Sequence, residues 1–256
     1  MTQADPTSPL SERLATVERT LRWRPRRREI VETLRALIAT VDADRLERLR
    51  REHEAASGQA SAVAGYKYLD VAFYTLQKLM VARALGLHEG PRRRILDIGT
   101  GGGHFPFVCR FLGHEVVALD IDNPVYQGIA DCLGVERTVF RVEPGRKLPA
   151  PAARFDLVVA HDVTFNDRPD EGGRRVYWSL EEWRFFLNDL VANQLRYPGT
   201  IDLKLNPEFG RDASGAEILA HNRLLLDLAA RHGAAVDRRR GTIRLALAGA
   251  RTFPQA

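Results

Sequence analysis

"RRRILDIGTGGGHFP", Arg92–Pro106, runs from three arginines through a short apolar segment into four glycines within five residues. Ile95, Leu96 and Ile98 form an apolar run of strand length bounded by turn residues, so they read as a buried strand. Asp97 ends the strand. Gly99, Gly101, Gly102 and Gly103 allow a sharp turn and let a ligand approach the backbone without Cβ interference. A helix is expected to begin near Phe105. A strand, a glycine turn and a helix together open a doubly wound sheet that holds a nucleotide.

The spacing of the glycines narrows the ligand. A dinucleotide fold uses G-x-G-x-x-G. Counted from Gly99, the third glycine falls on His104; counted from Gly101, it falls on Pro106. Neither frame works. Asp97 stands two residues before the first glycine. Its carboxylate would repel a pyrophosphate, whereas it suits a ligand end bearing ammonium and sulfonium charges. About twenty residues on, "VVALDID" closes a second strand at Asp120. An acid there accepts hydrogen bonds from both ribose hydroxyls and rejects a 2′-phosphate.

Downstream of Arg94, apolar runs alternate with helical stretches, which predicts a parallel sheet with helices on both faces. The last two strands, "AAVDR" and "TIRLALA", are separated only by "RRRG", too short for a crossover helix. They read as a hairpin, making one edge strand antiparallel. The expectation is a doubly wound α/β fold with seven mostly parallel strands and a C-terminal antiparallel hairpin. The first ninety residues instead read as helices. Ile30, Leu34, Leu37, Ile38 and Val41 recur at helical spacing, Asp42 or Asp44 can cap the next helix, and "YKYLDVAFYTLQKLMVARALGL" reads as one long helix ending at Gly90 and Pro91. "ASGQASAVAG", Ala56–Gly65, reads as a hinge. The expected division is a helical extension, 1–90, acting as a lid or dimer arm, and a ligand-binding domain, 91–256.

On these residues the chain resembles the class I S-adenosylmethionine-dependent methyltransferases, whose fold is Rossmann-like. "ILDIGTGGGHF" resembles that family's first motif, "VVALDID" its acidic loop, "RFDLVVAHDVTF" its fourth-strand motif and "GTIDLKLNP" its fifth strand. The terminal hairpin matches its inserted seventh strand. The resemblance implies that Asp97, Gly99, Thr100, Gly101 and Gly103 hold the methionine end of S-adenosylmethionine. It implies that Asp120 holds the ribose, Ile121 packs on the adenine and Glu143 substitutes for an adenine contact, since Pro144 stands where the family often has an acid. His161 would line the cofactor pocket. His161 and Asp162, after the fourth strand, are the candidate catalytic residues: methyl transfer mainly needs alignment, and a hydroxyl acceptor also needs a base. No metal is expected. His104 is read as structural.

The chain has 256 residues, a formal charge of +5 and two cysteines, Cys109 and Cys132. Both thiols are expected to be buried and free in a reducing cytoplasm. No window reaches the roughly 18 uncharged apolar residues of a membrane span, and the N-terminus lacks the apolar core of a signal peptide, so neither a membrane partner nor secretion is expected. The arginine clusters at 22–28, 92–94 and 238–240 read as solvated faces, with RNA or protein as the alternative acceptor they would serve. A small-molecule or glycan-type acceptor is the leading expectation, a homodimer through the N-terminal helices is open, and a non-catalytic cofactor-binding protein is the third reading.

Overall fold

A computed structural model describes residues 8–56, 66–173, 175–211, 217–220 and 222–254. Most of the expected hinge, 57–65, lies outside them. The helices are α1 (Leu10–Thr20), α2 (Arg27–Ile38), α3 (Ala43–Ala56), α4 (Val71–Ala84), α5 (His104–Phe111), α6 (Pro124–Cys132), α7 (Leu180–Asp189) and α8 (Arg223–Arg231). The main sheet has seven strands in the order β10 (Ala235–Asp237), β11 (Thr242–Leu247), β7 (Leu195–Leu205), β4 (Phe155–Val163), β1 (Arg94–Ile98), β2 (Glu115–Asp120) and β3 (Thr138–Val139). β1 and β4 pair in parallel, as do β4 and β7. Two small hairpins lie outside it, β5 (Asp167–Pro169) with β6 (Arg175–Tyr177), and β8 (Glu208–Arg211) with β9 (Glu217–Ala220).

The expected mixed seven-stranded sheet is present, with one correction. The antiparallel strand is not at the edge. β11 pairs antiparallel with β10 on one side and with β7 on the other. Its alternate residues Ile243, Leu245 and Leu247 are buried on one face, and the short β10 takes the edge. Two other boundaries moved. The long helix expected from Tyr66 starts only at Val71, because the Asp70 side chain accepts the Phe73 N–H at 3.2 Å and caps it there. The run "AEILAHNRLLLDLAARHG", 216–233, reads in sequence as one helical stretch, but α8 starts at Arg223 and Glu217–Ala220 pairs as a strand. Asp42 caps α3 as expected, accepting the Arg45 N–H at 2.9 Å. Cys109 and Cys132 are buried and are not joined in a disulfide.

The chain divides into two compact units. The first comprises Met1–Arg92, Thr100–Ala118 and Asp122–Thr138. Its core holds Leu34, Leu37, Leu46, Leu69 and Leu79, together with an Arg13–Asp70 ion pair that is almost wholly buried. The second comprises Arg93–Gly99, Leu119–Ile121 and Val139–Ala256. In it β4 is apolar without interruption from Leu157 to Ala160, all buried, as a central parallel strand requires. Trp178, Trp183, Phe165 and Phe186 pack ring on ring, with centroids 4.8–6.2 Å apart. This apolar aromatic cluster carries α7, whose N-terminus is closed by a capping box between Ser179 and Glu182. Among the described residues no helix is long and apolar enough to cross a membrane.

Candidate functional site

In a doubly wound sheet, ligands bind beyond the carboxyl ends of the strands. In the second unit those ends bring together several of the residues singled out from sequence. Asp97, near the end of β1, is 3% exposed. Gly99 N–H donates to the Leu119 carbonyl at 2.8 Å, which sets the end of β1 beside the end of β2. Asp120, half-buried, closes β2. Its Oδ1 accepts the Ile121 N–H at 2.7 Å, and its carbonyl accepts the Phe140 N–H at 2.7 Å. Those bonds fix the backbone on either side of the acid.

Gly99 has φ +77°, and a Cβ there would lie 2.6 Å from the Val163 Cβ. The glycine is therefore demanded by the protein itself. β4 shifts register between His161 and Val163, and Val163 lies against the turn. In the first unit the same turn continues through Thr100 to Gly103. Gly101 has φ +59° and open space where its Cβ would be, so that position admits an approaching ligand. Thr100 is buried, and its Oγ1 has no hydrogen-bond partner among the described residues.

His161 sits at the end of β4 and donates its Nε2–H to Asp202 Oδ1 at 2.7 Å. Arg244 Nε donates to the other oxygen of Asp202 at 2.6 Å. The three side chains come from β4, β7 and β11, adjacent strands in which Val159, Asp202 and Arg244 share one row. Burial pushes the Asp202 carboxyl up, but the hydrogen bonds and charges of His161 and Arg244 outweigh it and hold the group below its ordinary value. An ionised acid therefore fixes the ring proton on Nε2 and makes Nδ1 the basic nitrogen. Asp162, next along, has the left-handed φ of +59° at the register shift. Its carboxylate pairs with Lys204 at 2.5 Å, and its carbonyl accepts from Asn206 Nδ2 at 3.2 Å. A non-glycine residue in that conformation costs about 1–3 kcal/mol and marks backbone held in place by its surroundings.

Beyond these ends lies a network not anticipated from sequence. Asn166, fully buried, donates to Glu208 Oε1 at 3.1 Å and to Asn222 Oδ1 at 2.9 Å. Asn222 in turn donates to the Asn206 carbonyl at 3.0 Å. Burial pushes the Glu208 carboxyl up to about 7, against a smaller lowering by Asn166. Glu143 faces other company: Arg146 donates to its Oε2 at 2.8 Å and lies over the Phe140 ring.

His104 lies wholly within the first unit. Its Nε2 meets the Tyr68 carbonyl at 3.1 Å, and its ring stacks on Tyr74. Burial, with the charge of Lys78, lowers its pKa to about 3. It is a neutral, packed histidine. Sequence reasoning missed Asp202, Lys204 and Arg244. Each is a charged residue inside an apolar strand run, and Asp202 is the most buried of them. Its partners are about forty residues away in either direction. Among the described residues, no group of three or more His, Cys, Asp or Glu side chains is placed to hold a metal ion.

Residues 96–171 match the family model described as a methyltransferase domain. No curated protein matches. Among solved structures, Streptomyces venezuelae DesVI is similar at 11% identity over 67% of this chain and 90% of that one, with a TM-score of 0.43. The amino pentose methyltransferase CalS10 from Micromonospora echinaspora, with S-adenosylmethionine bound, is similar at 16% over 67% and 90%, with a TM-score of 0.43. A Burkholderia thailandensis 1,6-didemethyltoxoflavin N1-methyltransferase is similar at 15% over 68% and 79%, with a TM-score of 0.40.

The sheet has the strand order of a doubly wound mixed fold, and the segment that matches the methyltransferase-domain model runs from the middle of β1 to the turn between β5 and β6. Within the second unit, Asp97 is a buried acid of the type a cationic amino-acid end would take. Within the first, Thr100 Oγ1 is a buried polar atom without a partner among the described residues, and the turn is open at Gly101.

Proposed function

We propose that the chain transfers the methyl group of S-adenosylmethionine to a small-molecule or glycan-type acceptor. The observation that carries this reading is the placement of Asp97 and Asp120 at the carboxyl ends of neighbouring strands, with Gly99 bonded to Leu119 between them. One acid would take the ammonium end, the other the ribose hydroxyls, with Gly99, Thr100, Gly101 and Gly103 lining the turn and Ile121 against the adenine. Glu143, turned toward Arg146, would meet the adenine only by exchanging that partner.

S-adenosylmethionine supplies an activated methyl on a sulfonium. The chain's own residues must then align the acceptor and receive its proton. His161 is the base in this reading. Asp202 holds its tautomer and Arg244 holds Asp202, the arrangement in which a base is oriented by a third group. Asp162, in strained backbone beside it and paired with Lys204, would position the acceptor. The helical segment 1–90 ahead of the domain 91–256 belongs to the proposal as its lid. The test is calorimetry with S-adenosylhomocysteine. Asp120→Ala should weaken binding by about 2–4 kcal/mol, because two hydroxyls lose a charged acceptor. Unchanged affinity, or tighter binding of NAD than of S-adenosylhomocysteine by the unaltered chain, would overturn it.

A further inference from the structure

The loop between α1 and α2 is built from "LRWRPR", Leu21–Arg26, and methyl transfer makes no use of it. Trp23 at its tip is 84% exposed, whereas Trp178 and Trp183 are 2% and 0% exposed. An indole left in water forgoes a large apolar gain, so its exposure needs a reason. The loop is also ordered. Leu21 is buried beneath it, and Arg24 N–H donates to the Leu21 carbonyl at 2.9 Å. Arg26 takes φ +53°, a left-handed conformation that is costly for arginine, to start α2. The loop therefore carries a backbone cost at its exit into α2.

The charge is equally lopsided. Residues 18–35 contain seven arginines and three glutamates, a net +4 out of the +5 of the whole chain. Each of the three glutamates is already engaged: Glu18 by Arg35 at 2.6 Å, Glu29 by Arg83 at 2.5 Å and Glu32 by Arg28 at 2.8 Å. Arg26 is shared with Glu89 at 3.3 Å. Arg22, Arg24 and Arg27 have no ion-pair partner among the described residues, and Arg22 lies over the Trp23 ring at 4.9 Å. One arginine thus lies over an exposed indole, and two more follow it within four residues of sequence.

We propose that this loop is a docking tip for an anionic phospholipid surface, with Trp23 entering the headgroup layer and Arg22, Arg24 and Arg27 meeting its phosphates. The contact is peripheral and needs no spanning helix. An indole is at home at the level of the headgroups, and arginines near an anionic leaflet add attraction. A single-stranded nucleic acid is a poorer fit, since it stacks successive bases on several aromatics along a groove. Trp23 is the one aromatic in this basic segment.

The test uses the full chain and vesicles of phosphatidylcholine, with or without phosphatidylglycerol, at moderate salt. The unaltered chain should co-sediment with the phosphatidylglycerol vesicles and not with phosphatidylcholine alone. Its tryptophan emission should shift to shorter wavelength on binding. Trp23→Ala should remove the shift, because the other two tryptophans are already buried, and should weaken binding about tenfold. Replacing Arg22, Arg24 and Arg27 by Gln together should weaken binding about 100-fold, at roughly fivefold for each charge. Absence of binding, equal binding to both vesicle types, or indifference to both variants would overturn the proposal. So would displacement from the vesicles by polyuridylate RNA with the Trp23 shift transferred to the RNA complex, which would assign the tip to nucleic acid.

Discussion

Gly99→Ala tests the claim that the first glycine of the turn serves the protein's own packing. Two costs add. At φ +77° an alanine pays about 1–2 kcal/mol for left-handed backbone. Its Cβ would also stand 2.6 Å from the Val163 Cβ, where ordinary contact begins at 3.4 Å, a shortfall of 3.4 − 2.6 = 0.8 Å. Overpacking of that kind costs about 1–3 kcal/mol. The expected loss is therefore about 2–5 kcal/mol, a large part of the roughly 5–15 kcal/mol a domain has. Urea unfolding followed by the emission of Trp178 and Trp183, both in the same unit as Gly99 and Val163, measures it. Val163→Gly removes the obstructing atoms, so the double variant should recover about 1–3 kcal/mol relative to the sum of the singles, leaving the backbone term. A Gly99→Ala protein within 0.5 kcal/mol of the unaltered chain, or a double variant with no recovery, would refute the argument.

Three further outcomes are expected. Gly101→Ala meets no neighbouring atom, so it should cost stability only the backbone term of about 1–2 kcal/mol while weakening S-adenosylhomocysteine binding in calorimetry. Glu208 is raised to about 7 in the fold from an ordinary 4.5, so the folded state binds the extra proton between those values. Stability should therefore fall as pH rises from about 4.5 to 7, by an amount of order 1 kcal/mol for a half-exposed group, and Glu208→Gln should flatten that stretch of the stability curve. His104 is lowered to about 3, so its neutral form stabilises the fold fully above about 6.5 and progressively less as pH falls toward 3. His104→Gln should remove part of that acid loss in thermal melts across the same range.

The elements were legible where a pattern was local. The buried runs of β1 and β4, the glycine turn, and the Asp42 cap announce themselves within a few residues. The hairpin of β10 and β11 followed from a connection too short for a helix. Its place did not, because strand order depends on pairing with β7, some forty residues earlier. Asp70 was read as part of a helix because its capping bond to Phe73 is indistinguishable in sequence from an ordinary helical aspartate. The β8–β9 hairpin was missed for a related reason: "EILA" fits a helix period as well as a strand.

Asp97 and Asp120 were placed by sequence at the ends of the first two strands, and the fold sets Asp120 there and Asp97 one residue before the end of β1; His161 and Asp162, expected after the fourth strand, belong to the last residues of β4, which runs on to Val163. What sequence determined by itself was the set of groups offered along each strand: an acid near the end of each of the first two, and a histidine near the end of the fourth. What the tertiary structure decided was their condition. Asp202 is anionic because His161 and Arg244 converge on it from both sides, Glu208 is raised because burial removes water from its carboxyl, and Gly99 is obligatory because Val163 fills its Cβ position. Each of these is a property of neighbours distant along the chain. Local spacing carries the alternation of side chains and the reach of a turn; it carries neither the dielectric around a group nor the identity of the atom across from it.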